Sequence, residues 1–166
     1  MKNLVEELRD VLLEELKAYE EMLELTTKKT DIISSGRIND LDNITQMENI
    51  LILRLGQLED RREKVANNIE KQFNMKDNLT IKDILSYIDD ADETKQDIEK
   101  TTNKLSQVLN SLKEKNDLNS LLIKDTLEYI ELNINLLTNA SDQGTYNNKV
   151  QKEQSSPNVS LFDTKA

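Results

Sequence analysis

The stretch Ser34-Ser35-Gly36-Arg37-Ile38-Asn39-Asp40-Leu41 decides how the chain folds. Before it, apolar residues recur at Leu4, Leu8, Leu12, Leu16, Tyr19 and Leu23, with Val5, Val11 and Met22 widening the row. Steps of three and four put these side chains on one face of a helix. After it, Leu41, Ile44, Leu51, Leu55, Leu58, Val65, Ile69 and Phe73 keep the same period. Between the two rows, Gly36 can adopt the left-handed conformation that closes a helix. Asn39, with Asp42 three residues later, can cap the next one. Two long amphipathic helices joined by so short a link predict an antiparallel hairpin.

Three positions in the second helix stand out. Glu48 and Arg62 fall on the apolar row, about four turns apart, too far to pair with each other. They either extend along the edge of the seam or make polar contacts to another helix that fix its register. Gly56 sits mid-helix at a cost of roughly 1 kcal/mol relative to alanine, which marks either close packing or a weak point.

Beyond Phe73, residues 74–80 form a polar connector. Thr80 and Asp83 make a capping box that opens a short helix carrying Ile81, Ile84, Leu85 and Ile88. Asp89 to Asp92 interrupt the pattern, and Asp90 with Glu93 can cap a last long helix reaching about Thr138. Its row comprises Ile98, Leu105, Leu109, Leu112, Leu122, Ile123, Leu127, Ile130, Ile134 and Leu137. At about 1.5 Å per residue this helix is roughly 70 Å long unless it breaks, and the break is expected at Asn116–Asn119, where polar residues dilute the row. After Ala140 the helical period disappears, and Ser141–Ala166 reads as a flexible, disordered tail. Two features there have no obvious structural need, Tyr146 and the apolar cluster Val159-Ser160-Leu161-Phe162. The expectation is an all-α, elongated antiparallel bundle of three long helices and one short one in residues 1–140, with a tail in 141–166.

Composition narrows the chemistry. Among 166 residues there is no histidine and no cysteine, which removes disulfides, imidazole and thiolate metal sites, and Ser-His or Cys-His nucleophiles. With three glycines, there is little scope for a phosphate-cradling loop. The net charge of −10 disfavours nucleic acid and anionic membrane surfaces. Acidic residues begin at Glu6, too soon for a signal peptide, and no apolar run approaches the roughly 20 residues that span a bilayer. A cytoplasmic binding protein without cofactor, metal or enzymatic activity is expected. A carboxylate-based enzyme would need acids converging on a cavity, whereas the acids here follow surface periodicity.

Several short patterns resemble the FlgN-type flagellar export chaperones. Gly36-Arg37-Ile38-Asn39-Asp40-Leu41, Ile44-Thr45, Leu51, Leu55, Leu58-Glu59 and Arg61-Arg62 are similar to the start and finish of that family's second helix. Asn116 and Asn119 followed by Leu122-Ile123 and Leu127, and then Thr145-Tyr146, match in order and spacing. Where the family often has a glycine soon after the tyrosine, Asn147-Asn148-Lys149 follow here. The resemblance implies a chaperone that binds the C-terminal helical segments of the hook–filament junction proteins and delivers them to the flagellar export gate and its ATPase complex. It also implies that Tyr146 contacts the gate.

The apolar row of the last helix is first of all core, but a thin bundle can leave part of it open as a groove for an amphipathic partner helix. That substrate-binding surface is expected at Leu122, Ile123, Leu127, Ile130, Ile134 and Leu137. Asn116 and Asn119 read as a register device or a helix irregularity rather than a ligand site. Two other readings stay open: a structural coiled-coil adaptor, with a homodimer formed through the exposed row, and a chaperone for another flagellar subunit such as the cap or flagellin.

Overall fold

The computed structural model describes residues 2–73, 80–89 and 91–146. Four helices lie among them: α1 Lys2–Ser34, α2 Ile38–Phe73, α3 Ile81–Ser86 and α4 Glu93–Tyr146. The all-α architecture of three long helices and one short one is therefore the fold. The chain divides into two compact units, Met1–Lys124 and Asp125–Ala166, and α4 contributes residues to both.

The α1–α2 turn forms as its glycine requires. Gly36 takes φ +68°, its N–H bonds the Ile33 carbonyl at 3.1 Å, and the Arg37 N–H bonds that of Ile32 at 3.2 Å. These two bonds satisfy carbonyls that the end of α1 would otherwise leave without partners. The start of α2 differs from expectation: the helix opens at Ile38, one residue before Asn39. Arg37 takes the boundary position, its carbonyl accepting from the Leu41 N–H and its guanidinium meeting the Asp40 carboxylate at 3.1 Å. Asp42 turns instead to Gln46.

α1 and α2 pack antiparallel, and four ion pairs cross between them. Glu14 meets Arg61 at 2.9 Å, Glu15 meets Arg62 at 2.9 Å, Glu21 meets Arg54 at 3.2 Å and Lys29 meets Glu48 at 2.7 Å. Glu48 and Arg62 thus both reach across to α1. Glu15, which periodicity assigns to the solvated face, is buried.

In the first unit α4 runs alongside α1 in the same direction. Ile98 and Leu105 enter a core with Val5, Leu8, Leu12, Leu16, Val65 and Ile69. Leu112 packs on a second cluster of Met22, Leu25 and Leu51. Farther along, Asn119 Nδ2 donates to the Thr26 carbonyl at 3.0 Å. Leu109, placed on the row by sequence, is exposed.

α3 begins with the predicted capping box: the Asp83 N–H bonds Thr80 Oγ1, and the Thr80 N–H bonds Asp83 Oδ2 at 2.8 Å. It buries Ile84 and Leu85 in the first core. Lys95 of α4 donates to the Ile88 carbonyl at 3.0 Å, a cation just past the C-terminal end of this short helix. The cap of α4 is Asp92, whose Oδ1 accepts from the Thr94 N–H at 2.8 Å. Asp90, expected in that role, lies outside the described residues.

α4 does not break at Asn116–Asn119; its 54 residues form one helix. Asn119 points inward to α1 rather than interrupting its own helix. The helix also runs eight residues past the expected end at Thr138. Periodicity reports burial rather than backbone conformation. Without a proline, each added residue of a helix already formed gains a further hydrogen bond.

Candidate functional site

In the second unit, α4 carries an unusual density of uncovered apolar side chains. Leu127 is 61% exposed, Ile130 44%, Ile134 55% and Leu137 72%. These four recur in steps of three and four and form one stripe. Tyr129 at 68%, Leu132 at 63% and Leu136 at 68% lie roughly on the other side of the same helix, at about 100° per residue. No side chain from residue 125 to 138 is buried. A helix with apolar groups on two faces belongs in a protein interior. Each such side chain gains roughly 1.5–3 kcal/mol on going from exposed to buried.

The sequence-derived site divides between the two units. Leu122 is half-buried and Ile123 more open, both in Met1–Lys124. Leu127, Ile130, Ile134 and Leu137 belong to Asp125–Ala166 and share the stripe. Within the second unit there is a bare helical face rather than a groove. The second face, Tyr129, Leu132 and Leu136, was missed because a single 3.6-residue row was sought. The signal was present in the sequence, since Leu132 and Leu136 are four residues apart. Tyr146 is the last helical residue of α4, and its side chain lies outside those described, as does the Val159–Phe162 cluster.

The first unit has its own apolar surface on the hairpin. Met47 and Ile50 of α2 are largely exposed beside buried Leu25 and Leu51. With Glu21, Glu24 and Lys28 they line a shallow cleft of about 330 Å³.

The buried polar groups serve packing. Burial raises the Glu15 carboxyl above its ordinary value, and the hydrogen bond from Arg62 opposes that shift. Arg62 also approaches Glu59 at 3.6 Å. Burial likewise raises the Tyr19 phenol, with Glu15 and Glu59 adding to the shift. Charges of both signs thus stand on this flank, with the Glu15 carboxylate engaged by Arg62. Among the described residues, no three or more acidic groups come together in a way that could hold a metal ion. No helix among them is long and apolar enough to cross a membrane. What the arrangement offers is apolar helix surface, the chemistry of protein–protein recognition.

The family model described as FlgN protein matches residues 1–154. The chain is similar to the uncharacterized protein YvyG of Bacillus subtilis (strain 168), at 29% identity over 149 residues, covering 89% of this chain and 90% of that protein. No solved structure matches it.

Proposed function

The chain belongs to the FlgN family of flagellar export chaperones, and we propose that its cargo is the C-terminal helical segments of the hook–filament junction proteins. In this reading it acts in the cytoplasm, keeps these segments soluble and delivers them to the flagellar export gate and its ATPase complex. The single observation that carries the reading is the stripe Leu127, Ile130, Ile134 and Leu137, none of it covered by the described residues. The stripe runs i, i+3, i+7 and i+10, a single apolar face on which the anchors of an amphipathic cargo helix can pack. Leu122 and Ile123 are proposed as further cargo contacts and Tyr146 as the gate contact. Cargo binding replaces water on the stripe with apolar surface, offset by the cost of ordering the cargo segment.

A structural adaptor would close such a stripe in a continuous seam with a second copy. Membership of the family favours the chaperone. The test is calorimetry of the chain with the C-terminal segment of each junction protein from the same genome. Leu127→Asp is expected to weaken binding at least about tenfold, because it places a charge in the desolvated centre of the contact. Tyr146→Ala should leave cargo affinity unchanged. If neither segment binds, the junction-protein assignment fails, and segments of the filament cap and flagellin are the next to be titrated.

A further inference from the structure

We propose that the groove over Gly56 in the first unit is a docking site for a basic amphipathic helix of a partner protein. The docked helix seats a large apolar side chain against the bare glycine and sets a lysine or arginine beside Glu59. A glycine inside a helix costs about 1 kcal/mol relative to alanine. Its usual uses are a backbone of positive φ or the close approach of another group. Neither is met within the described chain. Gly36, not Gly56, takes positive φ, and a methyl group at Gly56 would meet nothing within 4 Å. The room above Gly56 is left for something these helices do not supply.

That room belongs to a groove of about 450 Å³ lined from all three long helices. Met22 of α1 is buried at its base, Tyr19, Leu55 and Leu112 are half-buried, and Ile52 stands exposed at the rim. With α1 beneath and α2 and α4 on either side, one more helix laid there completes a four-helix packing. From Glu48 to Glu59 the α2 side is roughly 16 Å long, enough for about three turns of a partner helix.

Charge sets the partner's chemistry. The charged residues lining the groove are Glu48 and Glu59, both acids. Lys29 holds Glu48 at 2.7 Å. Glu59 is exposed, and Arg62 stands 3.6 Å from it while making its shorter contact, 2.9 Å, to Glu15. The Glu59 carboxylate is the acid this groove offers, one turn along α2 from Gly56. A docked helix with a cation one turn from its apolar anchor meets it, whereas an acidic helix is repelled. The groove lies wholly within Met1–Lys124 and shares no residue with the Leu127–Leu137 stripe. It therefore does not depend on which cargo that stripe takes.

The probe is a synthetic amphipathic peptide of about 18 residues, long enough to form a helix on binding. It carries phenylalanine at the centre of a leucine face and lysine one turn away. Titrated into the isotope-enriched full chain, it should shift the amides of Ile52–Glu59 and those around Leu112. Gly56→Leu fills the room with a good helix former. That variant should keep the helix content and urea midpoint of wild type while binding the peptide at least about tenfold more weakly. Ile52→Ser, at the exposed rim, should weaken binding in the same direction, so the reading does not hang on one variant. Glu59→Gln should weaken the lysine peptide about threefold and leave a peptide with glutamine in that place unchanged. The proposal is overturned if the chain does not bind the peptide, or if the shifts fall on residues 125–138 instead. It is equally overturned if Gly56→Leu and Ile52→Ser bind as wild type does, or if Glu59→Gln affects both peptides alike.

Discussion

Asn119 is the position where a single substitution should raise the stability of the first unit. Its Nδ2 donates to the Thr26 carbonyl at 3.0 Å, but its Oδ1 is buried without a hydrogen-bond partner, and so is the hydroxyl of Thr26 beside it. Asn119→Leu removes one neutral hydrogen bond, a loss of about 1 kcal/mol. The Thr26 carbonyl retains the Thr30 hydroxyl at 3.2 Å, so it is not orphaned by the change. Against that loss, the substitution removes a desolvated acceptor that costs about 1–3 kcal/mol. It also continues the apolar row from Leu112 toward Leu122. The net expectation is a gain of about 1 kcal/mol, read as a rise of roughly 0.5 M in the urea midpoint at unchanged slope. Thr26→Val, nearly the same shape, should be neutral or stabilising, and the pair should be close to additive. A loss of more than about 1 kcal/mol in Asn119→Leu would refute the reasoning. So would strong coupling in the double mutant, which would mean that the Thr26 hydroxyl and Asn119 Oδ1 bond each other in solution.

Three further outcomes follow from the geometry. Gly56→Ala should stabilise by about 0.5–1 kcal/mol in the same urea titration, because a methyl group there meets open space and the left-handed region is not in use. Gly36→Ala should cost about 1 kcal/mol despite equally open surroundings, since φ +68° is strained for any residue with a Cβ. Glu15 titrates in the fold above its ordinary 4.5, because burial disfavours its charge. The folded chain therefore holds this proton more tightly than the unfolded chain, and as pH falls through the folded value the cost of the buried charge is relieved. Stability curves of wild type and Glu15→Gln measured against pH should converge on acidification, and parallel curves would show that Glu15 titrates as in the unfolded chain.

The hairpin was readable because two independent signals agreed, a 3.6-residue apolar period and a glycine at its interruption. The capping box at Thr80 and Asp83 was readable for a similar reason, since it depends on two residues three apart and nothing distant. Asn39 and Asp90 show the limit: several polar residues near a helix start can each cap it, and Arg37 and Asp92 took those places through contacts that sequence does not rank. The inward turn of Asn119 depends on which residue of α1 lies opposite, a tertiary fact. The general expectation that the acids follow surface periodicity fails at Glu15, because its burial depends on Arg62, 47 residues later, lying against it. The Leu127, Ile130, Ile134 and Leu137 stripe could be read as a stripe, but exposure is a property of what fails to pack there. No local pattern encodes that.

The ion pairs along the hairpin also bear on partner choice. At three of the four crossings α1 supplies the acid, Glu14, Glu15 and Glu21, and α2 the base, Arg61, Arg62 and Arg54. The two exposed pairs, Glu14–Arg61 and Glu21–Arg54, add only about 0.2–1 kcal/mol each to stability, so their weight lies elsewhere. Were α1 to meet α1 of another copy, glutamates would stand against glutamates; were α2 to meet α2, arginines would stand against arginines. The hairpin is thereby made a poor template for its own duplicate: side-by-side pairing of like helices from two copies is discouraged by like-charge repulsion, whereas each helix remains matched to the other.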